Sequence, residues 1–130
     1  MSKVLIVEDN ELNLKLFHDL LMIQKHEVVV SKDGLDIMNI TTREKPDLIL
    51  MDIQLNGVSG IDLIKELKNS ISTKHIPIIA ITAFAMKHDE TRISKSGCDM
   101  YISKPVSIDD FFKASLSTSR ISFCKHTYSK

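Results

Sequence analysis

The chain carries no net charge: 17 Lys and Arg balance 17 Asp and Glu over 130 residues. A nucleic-acid or anionic-membrane binder needs a basic excess, so this balance argues against both. Cysteine is scarce. Cys98 and Cys124 show neither metal-ligand spacing nor a disulfide framework. No apolar run is long enough to span a bilayer and no leader pattern opens the chain, so the cytoplasm is the expected compartment. The length suits one domain and leaves no room for two. What is present is globular material, 43% hydrophobic and 26% charged, enough for an ordinary core without staples.

The hydrophobic pattern switches between two periods. Val4-Leu5-Ile6-Val7 is a short all-apolar run closed by acids, which reads as a buried strand. Leu12, Leu16, Leu20 and Ile23 then recur at helical spacing with Phe17 and Leu21 beside them, and Asn10 or Asp9 would cap that helix. Val28-Val29-Val30 predicts a second strand, and a helix from about Gly34 to Glu44 must stop before Pro46. Leu48-Ile49-Leu50-Met51 predicts a third strand, ending on Asp52. The stretch 56–60 reads as a loop, and Ile61, Ile64 and Leu67 mark a third helix. Residues 76–81 predict a fourth strand with Pro77 at its start. A helix over about 86–96 ends at Gly97, Met100-Tyr101-Ile102-Ser103 is a fifth strand, and Ile108, Phe111, Phe112 and Leu116 open a fifth helix. The domain is expected over 1–120, with 121–130 a frayed or disordered tail.

Five strands alternating with five helices imply an α/β fold, a doubly wound parallel sheet with helices on both faces. In such sheets the active groups sit at the carboxyl ends of the strands, beside the topological switch point. Here those ends carry Glu8-Asp9, Asp52, Thr82 and Ser103-Lys104. Glu8, Asp9 and Asp52 packed together without a cation would repel, and one would hold a proton. A hard divalent ion such as Mg²⁺ resolves the conflict, since it takes carboxylates, retained waters and phosphate oxygens. Lys104 brings a positive charge suited to a phosphoryl oxygen, and Thr82 a hydroxyl donor. Asp52 is then the nucleophile, because carboxylates form acyl phosphates. Each residue alone is weak evidence: an acid pair before a helix is usually a cap, and Lys-Pro usually marks a turn. The specificity lies in the whole set, in this order, at these strand ends.

The segments VLIVEDN, DLILMDIQLNGVSG, IIAITAFAM and YISKP resemble those of CheY-type response-regulator receiver domains, over residues 2 to about 116. MDIQL, TAFAM and GCDMYISKP are similar to the DivK-type single-domain regulators of bacterial cell division. The resemblance implies the flavodoxin-like strand order 2-1-3-4-5, which is the family's own and does not follow from spacing. It implies a two-component phosphorelay switch rather than an enzyme. Asp52 would be the phosphoacceptor, Asp9 and Asp52 direct Mg²⁺ ligands, Glu8 a ligand through water, and Gln54 a ligand by its backbone carbonyl. Thr82 would be the switch hydroxyl, Tyr101 the switch aromatic, Lys104 the phosphoryl-binding lysine, and Lys104–Pro105 a cis peptide. Phosphorylation would draw in the Thr82 hydroxyl and let Tyr101 turn inward, with the small Ala83 and Ala85 leaving room. The implied partners are a histidine kinase, phosphatase or phosphotransfer protein and a downstream protein. Leu14, read as lying off the buried stripe of the first helix, is a candidate docking residue for a histidine-bearing helical bundle.

Two departures from the family pattern stand out. Asn56 occupies a position where proline is usual, and the chain turns Ser/Thr-rich after Leu116. Rival readings lack their own signals. A haloacid-dehalogenase-type aspartyl-phosphate hydrolase needs a second acid where Gln54 stands, and a flavodoxin-like cofactor binder needs a Ser/Thr/Gly-rich loop in place of Glu8-Asp9-Asn10. A chemotaxis-type motor regulator would share the same chemistry, and only partner binding would separate it.

Overall fold

The structure, a computed structural model, describes residues 3–55, 57–83 and 87–104. Chain order runs β1 (Lys3–Val7), α1 (Glu11–Ile23), β2 (Glu27–Ser31), α2 (Ile37–Glu44), β3 (Leu48–Asp52), β4 (Gln54–Leu55), β5 (Val58–Ser59), α3 (Gly60–Lys68), β6 (Ile78–Thr82), α4 (Lys87–Lys95) and β7 (Met100–Ser103). Five strands form one parallel sheet in the order β2-β1-β3-β6-β7. Counting only those five, this is the expected order 2-1-3-4-5. The expected fifth helix, the Lys104–Pro105 peptide, Ala85 and the 121–130 tail lie outside the described residues.

The sheet is buried on both faces, which is why its central strands read as continuous apolar runs. Successive side chains on a strand point to opposite faces. Val4, Ile6, Leu48, Leu50, Ile79, Ile81, Met100 and Ile102 pack on one face with Phe17, Leu20 and Leu21 of α1. Leu5, Val7, Ile49, Met51, Ile78, Ala80 and Tyr101 pack on the other, against α2, α3 and Ile93 of α4. Fully burying a Val, Leu, Ile, Met or Phe side chain of this kind stabilises the fold by roughly 1.5–3 kcal/mol.

The helix ends follow local chemistry. Asn10 caps α1, its side chain accepting from Asn13 N at 3.0 Å. Ser59 caps α3 in the same way through Asp62 N at 3.4 Å. Helix α2 stops where Lys45 turns left-handed, at φ +49°, immediately before Pro46. It begins at Ile37 rather than near Gly34, because the Ser31 hydroxyl takes the Gly34 N–H into a turn first. The loop expected at 56–60 overlaps a short hairpin, β4 at 54–55 against β5 at 58–59, and gives way to α3 at Gly60; Gly57 lies at φ +78°. That is the positive φ an Asn-Gly turn requires.

One helix face is corrected. Leu12 and Ile23 of α1 are 79% and 71% exposed and Leu16 is partly exposed, whereas Leu14 leans against the core. The buried face is Leu14, Phe17, Leu20 and Leu21, so Leu14 does not lie off the buried stripe. Apolar residues occur on two sides of this helix, and its position on the sheet decides which side is covered. Among the described residues no helix is long and apolar enough to cross a membrane.

A three-carboxylate site at the carboxyl edge of the sheet

The β1 run ends at Val7, and Glu8 continues the ladder by donating its N–H to Ser31 O at 3.2 Å. The chain then turns into α1, and Asn10 N donates to Glu8 Oε2 at 3.1 Å, holding the carboxylate back against the sheet. Glu8 is 1% exposed; Asp9 beside it is half-buried. Asp52 closes β3 at 2% exposed, and its Oδ1 accepts from Gln54 N at 2.9 Å. Each of Glu8, Asp9 and Asp52 offers an oxygen, and these oxygens lie within 4.8 Å of one another.

The electrostatics of the cluster are unfavourable as they stand. Glu8 Oε1 is buried with no hydrogen-bond partner. Burial, first, and then the neighbouring Asp52 carboxyl and its charge push the Glu8 carboxyl up to about 7; Asn10 N–H and Lys104 oppose this. Lys104 stands at the end of β7 with Nζ 3.4 Å from Asp52 Oδ2. An all-oxygen donor set with an orphaned buried oxygen and excess negative charge fits a hard divalent cation.

Thr82 ends β6, fully buried, one residue past the Asp52↔Ile81 pairing. Its carbonyl accepts from Lys104 N at 2.7 Å, which ties the ends of β6 and β7 together. The sheet therefore brings Glu8, Asp9, Asp52, Thr82 and Lys104 to one edge. Tyr101 pairs with Ala80 across β6 and β7 and is already buried in the core, 7% exposed.

Two features of this edge escape a reading by motif. Gly60 N donates to Ile53 O at 3.1 Å, and a Cβ at Gly60 would lie 2.3 Å from Asp52 O and 2.6 Å from Ile53 Cα. Only glycine lets α3 start this close to the end of β3. The Gln54 side chain also matters, since its Oε1 accepts from Ala83 N at 2.9 Å. The only sequence signals were a second glycine after Asn-Gly and a polar residue two past Asp52, and neither specifies a contact.

The family model of the response regulator receiver domain matches residues 4–115. The chain belongs to the response regulator receiver family. It is 52% identical over 112 residues to the polar-differentiation response regulator DivK of Brucella anthropi, covering 86% of this chain and 91% of that one. The receiver domain of a sensor histidine kinase from Pseudomonas aeruginosa, solved with a magnesium ion coordinated in its active-site cleft, superposes with a TM-score of 0.80 at 27% identity, over 87% of this chain and 93% of that one. The chemotaxis protein CheY4 of Vibrio cholerae superposes with a TM-score of 0.83 over 89% of this chain and 97% of that one. At 21% identity that likeness is one of fold. As a receiver domain, the chain is a signalling module that works through histidine kinases and downstream partners.

Proposed function

We propose that this receiver is a phosphorelay switch that accepts a phosphoryl group on Asp52 from a phosphohistidine, in control of the bacterial cell cycle. The observation that carries the chemistry is Asp52 itself, a buried carboxylate at a strand end with Lys104 Nζ at 3.4 Å and two further carboxylates beside it. The 52% identity to DivK supports the cell-cycle assignment. In the transfer, an Asp52 carboxylate oxygen bonds to phosphorus as the P–N bond of the donor breaks. The electron pair returns to the imidazole, which takes up a proton.

Asp9 and Asp52 would hold Mg²⁺ directly, with Glu8 acting through water and Gln54 through its backbone carbonyl. Bound there, Mg²⁺ supplies the positive charge that offsets the acid cluster and the phosphoryl oxygens. The chain's own residues do the rest. The Gln54 N–H fixes the Asp52 carboxylate by holding Oδ1, which leaves Oδ2 on the Lys104 side. Lys104 pairs with a phosphoryl oxygen, and the Thr82 hydroxyl takes another. Tyr101, packed behind Ala80, reports the state of the β6 and β7 ends to the surface.

The phosphodonor is a histidine-bearing helical bundle in the cytoplasm that docks over α1 and the loops around Asp52. Leu12 and Leu16, exposed on α1, supply the apolar contact there. Leu14 contributes only the part of its side chain that the core leaves uncovered. The test is labelling by acetyl phosphate with Mg²⁺. Wild type should take up phosphate and Asp52→Asn should not; full labelling of that variant would refute the assignment.

A further inference from the structure

The hydrogen bonds between β3 and β6 stop one step short of the sheet's edge. Ile53 N donates to Ile81 O at 2.9 Å, the last rung. In a parallel ladder the next rung would run from Ala83 N to Ile53 O. It is not made, because Ile53 O is taken by Gly60 N at 3.1 Å as the chain turns toward α3. The Ala83 N–H is therefore left at the seam between β3 and β6, on the side of β6 that faces Asp52. The other side of this strand end faces β7, where Thr82 O accepts from Lys104 N. Gln54 fills the gap: its backbone N–H holds Asp52 Oδ1 at 2.9 Å, and its side-chain Oε1 takes the Ala83 N–H at 2.9 Å.

A phosphoryl group on Asp52 would bring three anionic oxygens into this seam. Backbone N–H groups are strong donors to such oxygens, and a bond to a charged acceptor is roughly twice as strong as one to a neutral amide. We propose that the Gln54 carboxamide is a latch on the Ala83 N–H, a donor that a phosphoryl oxygen on Asp52 takes over when the latch lets go. The inference rests on Asp52 as phosphoacceptor. It assigns the Gln54 side chain a role separate from its backbone, that of a neutral stand-in for the phosphoryl oxygen, which stabilises the unmodified state and raises the threshold of the switch. Gln54 is half-exposed, so its side chain has room to swing away.

Gln54→Met tests this, since Met is of similar length, has no carbonyl and leaves the backbone in place. Gln54→Ala is the second variant. The probe is beryllofluoride with Mg²⁺, titrated into the full chain and followed through backbone amide resonances, with Mg²⁺ alone titrated separately. Without the mimic, the Ala83 amide should exchange with solvent faster in both variants than in wild type. With it, both variants should bind about three- to tenfold more tightly, over and above any change in their affinity for Mg²⁺ alone, the effect of removing one competing neutral hydrogen bond. Equal mimic affinity in all three proteins overturns the latch, as does weaker binding by the variants, which would make Gln54 a phosphoryl ligand. A gain matched by an equal gain for Mg²⁺ alone also overturns it. If wild type itself fails to bind the mimic, the assignment of Asp52 falls and takes the latch with it; a wild type that binds normally beside unchanged variants isolates the failure to the latch.

Discussion

Glu8 and Asp52 meet as two buried carboxyls, one of which holds an oxygen, Glu8 Oε1, without any hydrogen-bond partner. Two such carboxyls cannot both stay ionised at low cost without a cation beside them, and the Glu8 pKa is raised accordingly.

The Glu8 carboxyl moves from its ordinary 4.5 to about 7, chiefly through burial and then through Asp52. An acid whose folded pKa exceeds its unfolded one binds a proton more tightly in the folded state, so its ionisation opposes folding. The penalty is absent below about 4.5, grows as pH rises to about 7, and is complete above that. In chelator, Glu8→Gln should therefore melt above wild type at pH higher than 7, and the two should converge toward pH 4.5. Added Mg²⁺ should raise the wild-type melting temperature more than that of the variant, since it binds the folded state and uses the ionised form. Thermal melts across this range decide the matter; a wild type that outlasts Glu8→Gln in chelator above pH 7 contradicts it.

Gly60 gives the second prediction. The Cβ of Gly60→Ala would have to displace the Asp52 carbonyl and the Ile53 backbone, neither of which is a flexible side-chain end. Overpacking of this kind costs about 1–3 kcal/mol. Because the displaced atoms belong to Asp52, the proposed phosphoacceptor, and to Ile53 beside it, labelling by acetyl phosphate should slow as stability falls. A variant that is destabilised but labels at the wild-type rate would show that α3, rather than Asp52, absorbs the shift.

The strands and the site were legible in the sequence for a physical reason. A strand buried on both faces, such as 48–51, must be apolar throughout, and acids placed at its end mark the edge where Glu8, Asp9 and Asp52 gather. The face of α1 was not legible. Leu12, Leu16 and Ile23 form one apolar stripe and Leu14, Phe17 and Leu21 another, and both satisfy helical spacing. An exposed apolar stripe on a helix looks like a core stripe until the sheet is in place. Gly60 and the Gln54–Ala83 contact were illegible for a related reason, because each depends on the path the chain takes just after Asp52, which residue types alone do not reveal.

Lys68 makes a prediction remote from the chemistry. Its Nζ donates to Lys74 O at 3.2 Å, Ile76 O at 2.7 Å and Asp99 Oδ2 at 2.9 Å, and Asp99 Oδ2 also accepts from Ile78 N at 2.8 Å. These bonds pin the end of α3 to the starts of β6 and β7, at the opposite edge of the sheet from Asp52. Lys68→Met keeps the packing stem but leaves the carbonyls without their charged donor, at a cost of about 2–4 kcal/mol. Denaturant unfolding should show the loss, while acetyl phosphate labelling of the folded fraction stays at the wild-type rate. Unchanged stability would mean that water replaces the ammonium group at no cost.

Lys104 and Thr82 give the prediction that bears on signalling. The two residues are bound to each other through Lys104 N and Thr82 O at 2.7 Å, so a pull on either is felt by the ends of both β6 and β7. A phosphoryl oxygen would draw on Lys104 Nζ through a charge-assisted bond and on the Thr82 hydroxyl through a weaker neutral one. Neither side chain is the nucleophile, and neither an ammonium group nor a neutral hydroxyl competes with three carboxylates for a metal ion. Lys104→Ala should therefore still bind beryllofluoride with Mg²⁺, more weakly than wild type, and Thr82→Ala should bind it with a smaller loss. At saturation, amide resonances near Asp52, such as Ile53, should shift in all three proteins and so report occupancy. Those of Tyr101 and Ile102 in β7 should shift in wild type, partly in Thr82→Ala, and least in Lys104→Ala. Tyr101 is already buried, so the change it reports is a repacking behind Ala80 and not a swing from solvent. If both variants at saturation give the full wild-type shift at Tyr101 and Ile102, the signal leaves Asp52 by another route, and the tie between the two strand ends is only structural.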